Sequence, residues 1–203
     1  MLLSAPVFLS KTPEDFLTLL QTVATQDKDK IGAFFAAHPE SSRQGAWLKA
    51  RPVPASYAAV NYYSIHTFTL VNAAGDRQPV KLIAMPSKGE AGLTADEAKA
   101  KAPDFYTGEL KDRLAAGPAE FKLTAVLGTK DDPADDPTAL WPEGRPTATL
   151  GTISLTALED NATCDAGMFD PNNLAAGVEA PAGDKILAMR SPAYAVSLSR
   201  RTK

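Results

Sequence analysis

The chain has 203 residues, 44% of them hydrophobic and 22% charged, with a formal net charge of -3. That length supports one sizeable core, so a single domain over residues 1–203 is expected. The slight negative charge argues against a polyanionic partner such as nucleic acid. No apolar run approaches the roughly 20 residues that a bilayer span requires, and a lone cysteine, Cys164, excludes an intrachain disulfide or a thiolate metal cluster.

The opening MLLSAPVFLS lacks the basic start of a secretory signal and meets a proline at once. It reads as a strand, and a domain beginning in mid-strand is expected to have its natural start upstream. Thr12 followed by Pro13, Glu14 and Asp15 combines a hydroxyl cap, proline at the first helical position and acids in the first turn. The helix so begun carries Phe16, Leu17, Leu19, Leu20 and Val23 on one face. A second, short helix is predicted over 29–37, ending before His38 and Pro39. NYYSIHTFTLV at 61–71 has the aromatic and β-branched content of a strand. NAAGD at 72–76 supplies the turn and PVKLIAMP the returning partner, a β-hairpin. Alternation along that strand puts His66, Phe68 and Leu70 on the apolar face, opposite Tyr63, Ile65, Thr67 and Thr69.

Thr94 with Glu97 forms a capping box opening a helix through Lys101. Pro103 restarts a helix to about Ala116, where Gly117 and Pro118 stop it. Strands are predicted over 121–127 and 151–158, separated by an acidic loop. An irregular, Asn/Asp/Gly/Pro-rich wrap covers 159–183 before the final helix. Hairpin-linked strands interrupted by helical pairs argue for an α+β fold with an antiparallel sheet.

Most candidate chemistry is weak. The loop holding Asp131, Asp132, Asp135 and Asp136 lacks the spacing, glycine and terminal glutamate of a calcium loop, so it reads as solvated. His38 and His66 lie in different contexts and build no zinc cluster. Phosphate-loop and dinucleotide fingerprints are missing, as is a serine nucleophile elbow. There remain Arg190 and Tyr194, four residues apart. Tyrosine ligates ferric iron as phenolate, and a guanidinium one turn away favours that anion. Pro192 predicts a helix beginning at Ser191, with Arg190 at its entrance. By itself the pair is equally explained by an ordinary helix with one aromatic in the core.

Three stretches, in order, resemble the catalase family, especially its small peroxidase-like branch. They are NYYSIHTFTLVNAAGDRQPVKL, TALWPEGRP and FDPNNLAAGVEAPAGDKILAMRSPAY, with fainter likeness at HPES and APVF. The resemblance implies a catalase-like antiparallel β-barrel, here incomplete, with helices and a wrapping segment. It implies haem b, with Tyr194 as the proximal iron ligand, the family role of that tyrosine. Arg190 falls against the phenolate, His66 and Asp184 continue the proximal network, and Phe8 and Phe169 fall beside the macrocycle. The substrate implied is hydrogen peroxide or an organic peroxide, with an electron donor left unidentified, and a homo-oligomer is compatible. The family's distal histidine would precede the opening strand, so the catalytic acid–base group is expected to be missing. The distal asparagine position is taken by Ser4. Alternatives are a haem-binding remnant without turnover and an enzyme acting on fatty-acid hydroperoxides. The cellular compartment stays open between the cytoplasm and, given an upstream leader, the periplasm.

Overall fold

Thr12 Oγ1 accepts the Asp15 N–H at 3.1 Å, and helix α1 (Pro13–Ala24) starts where that cap dictates. The structure is a computed structural model and describes residues 2–202, so the strand predicted from Met1 is seen only from Leu2. Over these opening residues there is a single antiparallel bridge, Leu3 to Tyr63. Pro6, which has no N–H to give, ends the prospect of a ladder. Asp27 caps α2 (Lys28–Ala37) by accepting the N–H groups of Asp29 and Lys30. Helix α3 (Ser42–Lys49) has few apolar residues and was not foreseen.

Six strands make one antiparallel sheet: β1 (Tyr62–Tyr63), β2 (Phe68–Val71), β3 (Arg77–Pro86), β4 (Ala119–Leu127), β5 (Thr147–Leu155) and β6 (Val178–Glu179). Their order is β5-β4-β3-β2-β6, with β1 also on β3. Among the described residues β5 and β6 each pair with one neighbour, so the barrel is incomplete as predicted. The hairpin forms with Val71 opposite Arg77, and Asn72 Oδ1 accepts two backbone N–H groups, from Ala74 and Asp76, inside its turn. The single strand expected over 61–71 is broken, because Ser64 Oγ takes the Leu82 N–H at 2.7 Å and the chain bends over the next residues. His66 therefore stands outside the strand alternation that was to orient it. The strand expected at 151–158 runs instead over 147–155, and its register on β4 shifts between Leu123 and Thr124, so that Leu150 is the extra residue of a bulge.

The helices α4 (Ala95–Ala100) and α5 (Phe105–Ala115) follow the capping box and the proline restart as predicted. Short elements appear inside the wrap: α6 (Asn161–Asp165), capped by Asp160, and β6. The final helix α7 (Lys185–Arg201) corrects the prediction of a start at Ser191, since Pro192 lies inside it. The helix begins six residues earlier, capped by Asp184, because the Asp184 carboxylate accepts the Leu187 N–H at 2.8 Å and Ile186 and Leu187 are buried. Leu187 joins Phe68, Val80 and Ala125 in one of two core clusters, docking α7 on the sheet. The other cluster gathers Ala58, Ala84, Ala119 and Phe121.

The acidic loop is also corrected. Asp132 and Thr138 are 8% and 1% exposed, so this is a packed segment and not a solvated one. Burial pushes the Asp132 carboxyl up, but the Thr129 N–H and the Arg145 guanidinium outweigh it and leave the group below the usual range.

Candidate active site

One face of α1 is apolar, yet Leu17, Leu20 and Val23 are about half exposed, at 55%, 51% and 47%. Leu17 and Leu20 face a cavity of about 730 Å³ between α1 and α7. Phe8, Phe16, Leu17 and Leu20 line one side, with Phe8 and Phe16 in ring contact at 4.9 Å. Ile186, Met189, Arg190, Ala193, Tyr194 and Ser197 line the other, and Glu14 sits with them. Size and lining suit a large apolar ligand with a few fixed polar contacts.

The polar contact is on α7. Arg190 and Tyr194 are i and i+4, neighbours on the helix surface. The guanidinium donates to the phenol oxygen at 2.5 Å, and its central carbon lies 5.1 Å from the ring centroid. At the start of the same helix Asp184, 1% exposed, accepts from His66 Nδ1 at 2.6 Å while its other oxygen caps the helix. His66 is 4% exposed, and its Nε2 is buried with no hydrogen-bond partner among the described residues. With Nδ1–H given to the carboxylate, Nε2 is left as an acceptor aimed into the protein.

The wrap braces this helix. Asp170 Oδ1 accepts the Asn172 N–H at 2.9 Å, and Asn172 Nδ2 donates to both the Leu187 carbonyl and Ser191 Oγ at 2.9 Å. The Asn172 N–H foremost, against burial and with help from Ser191 and the Arg190 charge, holds the Asp170 carboxyl low.

Of the residues singled out in sequence, Tyr194, Arg190 and Phe8 meet at the cavity, and His66 meets Asp184 behind it. Phe169 is 60% exposed and is not among the lining residues. Ser4 lines a different cavity, with Arg51, Pro52 and Tyr106. His38 stacks on Phe34 at 4.5 Å, and Cys164 is exposed on α6. Sequence reasoning missed Phe16, Leu17, Leu20 and Met189 as cavity residues. The apolar face of α1 carried the signal, but a face lining a ligand site and a face packed in a core have the same periodicity. No His/Cys/Asp/Glu cluster among the described residues could hold a bare metal ion. A tyrosine oxygen on the wall of an apolar cavity does suit a ligand to a metal carried in a macrocycle.

The family model described as catalase matches residues 1–202. A catalase-related peroxidase of Synechococcus elongatus is 33% identical, covering 100% of this chain and 62% of that protein. One from Mycolicibacterium paratuberculosis is 31% identical, over 98% and 64% respectively, so the chain spans a little under two thirds of these curated relatives. A bacterial catalase structure superposes with a TM-score of 0.81 at 22% identity, over 98% of this chain and 42% of that one. A fungal catalase gives 0.78 at 23% identity, over 98% and 44%. Sheet order, the cavity between α1 and α7 and the match along the chain lead to one conclusion: the chain belongs to the catalase family.

Proposed function

We propose that this chain forms the proximal side of a haem b pocket in a protein that acts on hydrogen peroxide or organic peroxides, with an electron donor still to be identified. The observation that carries the reading is the 2.5 Å Arg190–Tyr194 contact on the wall of an apolar cavity of about 730 Å³. Tyr194 is the iron ligand, and the bound haem supplies the redox chemistry toward peroxide. Arg190 donates to the tyrosine oxygen and so fixes where that oxygen sits on the cavity wall. Asp184 fixes the His66 ring by accepting from Nδ1 and so sets which nitrogen faces the interior. Phe8, Phe16 and the α1 leucines keep water from the macrocycle faces and raise the weight of each charge at Tyr194. All of these residues belong to the one domain of 1–203.

Hemin titration of the purified chain tests this. Wild type should give a phenolate-to-iron charge-transfer band that Tyr194→Phe lacks, and identical spectra would overturn the ligand assignment. A second reading, haem binding without turnover by this chain, is favoured by one observation: neither of its two histidines lines the cavity. General acid–base groups contribute about 10² to 10⁴-fold. Peroxide consumption no faster than free hemin would select that reading, and a rate well above it would reject it.

A further inference from the structure

The packed acidic loop touches both walls of the cavity. Its Pro137 carbonyl accepts the Phe8 N–H at 2.8 Å, on the side of α1. Asp135 Oδ1 accepts the Gly183 N–H at 3.2 Å, immediately before Asp184 and the start of α7. The Gly183 contact is close: a Cβ there would lie 2.4 Å from Asp135 Oδ2. The loop is fastened to the sheet by Lys81 of β3, 8% exposed, whose ammonium donates to the Ala139 carbonyl at 2.9 Å and lies 5.6 Å from the Trp141 ring centroid. Arg43 of α3 donates to the neighbouring Thr138 carbonyl at 2.9 Å. Lys81 is not among the residues lining the cavity, and neither the family assignment nor the proximal pair accounts for a buried ammonium at this point.

We propose that residues 131–139 are a strap that sets the spacing between the Phe8 wall and the Asp184 end of α7, and that Lys81 is the positioning residue that fastens it. Two independent bonds, to Phe8 and to Gly183, leave residues only two apart, Pro137 and Asp135, so any shift of this part of the strap changes the α1–α7 gap and the seat of Asp184 together. Around Lys81 stand the carboxylates of Asp136, Asp184 and Asp132, which favour its charge against burial. Asp132 is already paired with Arg145 and Asp136 with Lys11, whereas Asp184 is held by the hydrogen bond from His66 Nδ1. Lys81 thus stands where the strap and the proximal carboxylate converge. The consequence for a haem pocket rests on the function proposed above, but the strap itself is a statement about this chain alone.

Two histidines make the test clean, because His38 serves as the internal control for His66. Imidazole NMR signals are recorded for wild type, Lys81→Met, Lys81→Arg, Asp135→Ala and Gly183→Ala, without haem. Lys81→Met, Asp135→Ala and Gly183→Ala should move the His66 signals and leave those of His38 in place, with Lys81→Arg restoring the wild-type position. Hemin affinity should fall about threefold to tenfold in those three variants, the scale of one ordinary hydrogen bond, while the tyrosine-ligated spectrum persists. Unmoved His66 signals in all three variants would overturn the strap. A wild-type chain that fails to bind hemin would overturn the haem reading instead, and the NMR result would still decide the strap.

Discussion

Asp184 makes two buried bonds at once, and its removal should be among the costliest single changes in the chain. In Asp184→Ala the α7 cap to the Leu187 N–H is lost, about 1 kcal/mol. The 2.6 Å bond to His66 goes with it, and a charge-assisted bond of that kind contributes about 2 kcal/mol. Both partners are nearly inaccessible, so the imidazole is left in the interior without its carboxylate. Breaking a buried pair in this way costs about 3–5 kcal/mol. Asp184→Asn keeps an amide oxygen for the cap and should cost about 1–2 kcal/mol. Urea unfolding monitored by far-UV circular dichroism gives both values, and a double-mutant cycle with His66→Ala isolates the pair term. A loss below about 1 kcal/mol in Asp184→Ala, or a coupling near zero, would refute the view that this pair anchors the start of α7.

Two buried groups of opposite sign should shape stability at alkaline pH. Burial lowers Lys81 from 10.5 to about 8, so the unfolded chain binds more protons between those values and stability rises with pH there. That rise should vanish in Lys81→Met. Tyr62 is pushed up from 10.0 to about 12 by burial and then by Tyr57 and Tyr106, so its contribution is full below pH 10 and lost toward pH 12. Tyr62→Phe should flatten that fall, as urea midpoints taken across the range would show. Gly177 has φ +80° and its missing Cβ would sit 2.9 Å from the Val71 carbonyl oxygen, so Gly177→Ala should cost about 1–2 kcal/mol through loss of the β2–β6 pairing, measured by thermal melts. The nine residues of β5 carry no charge along an open edge. Ser154→Lys, placed opposite Glu120, should reduce light scattering on refolding without a stability loss above about 0.5 kcal/mol.

What the sequence reveals here follows from how local each cause is. The caps at Thr12 and Thr94 and the Asn72 turn act within a few residues, and each element stands where it was predicted. Pro192 misled for a physical reason: it removes the N–H that would bond the Ala188 carbonyl, which normally stops a helix. The helix continues because its start is fixed by Asp184 and because Asn172, from a distant segment, binds Leu187 and Ser191 in the turn that leads into Pro192. The break between β1 and β2 has the same character, since it depends on Ser64 finding Leu82 across the sheet. The acidic loop was misread because net charge says nothing about which carbonyls a buried lysine or arginine will seek, and those partners lie on β3 and α3. Of the site, the residues drawn from family resemblance on α7 could be placed by motif alone, whereas the α1 side of the cavity was visible only as one more apolar face.

The placement of three polar residues on one helix constrains how the site can work. At about 1.5 Å per residue, Asp184 and Tyr194 are separated by about 15 Å along α7, too far for the His66–Asp184 pair to act on the phenol directly. Arg190 is the polar side chain that stands between them on the cavity side, one turn from Tyr194. Any influence of the buried pair on the tyrosine oxygen must therefore pass through the position of the guanidinium, and so through the straightness of the helix from 184 to 194. The weak turn at Pro192 falls inside that span, between Arg190 and Tyr194. The Asp170–Asn172 brace lands on Leu187 and Ser191, in the turn that leads into Pro192, and this gives the FDPN stretch at 169–172 a physical task that exposed Phe169 does not explain: it holds the register in which a guanidinium reaches a phenol four residues on.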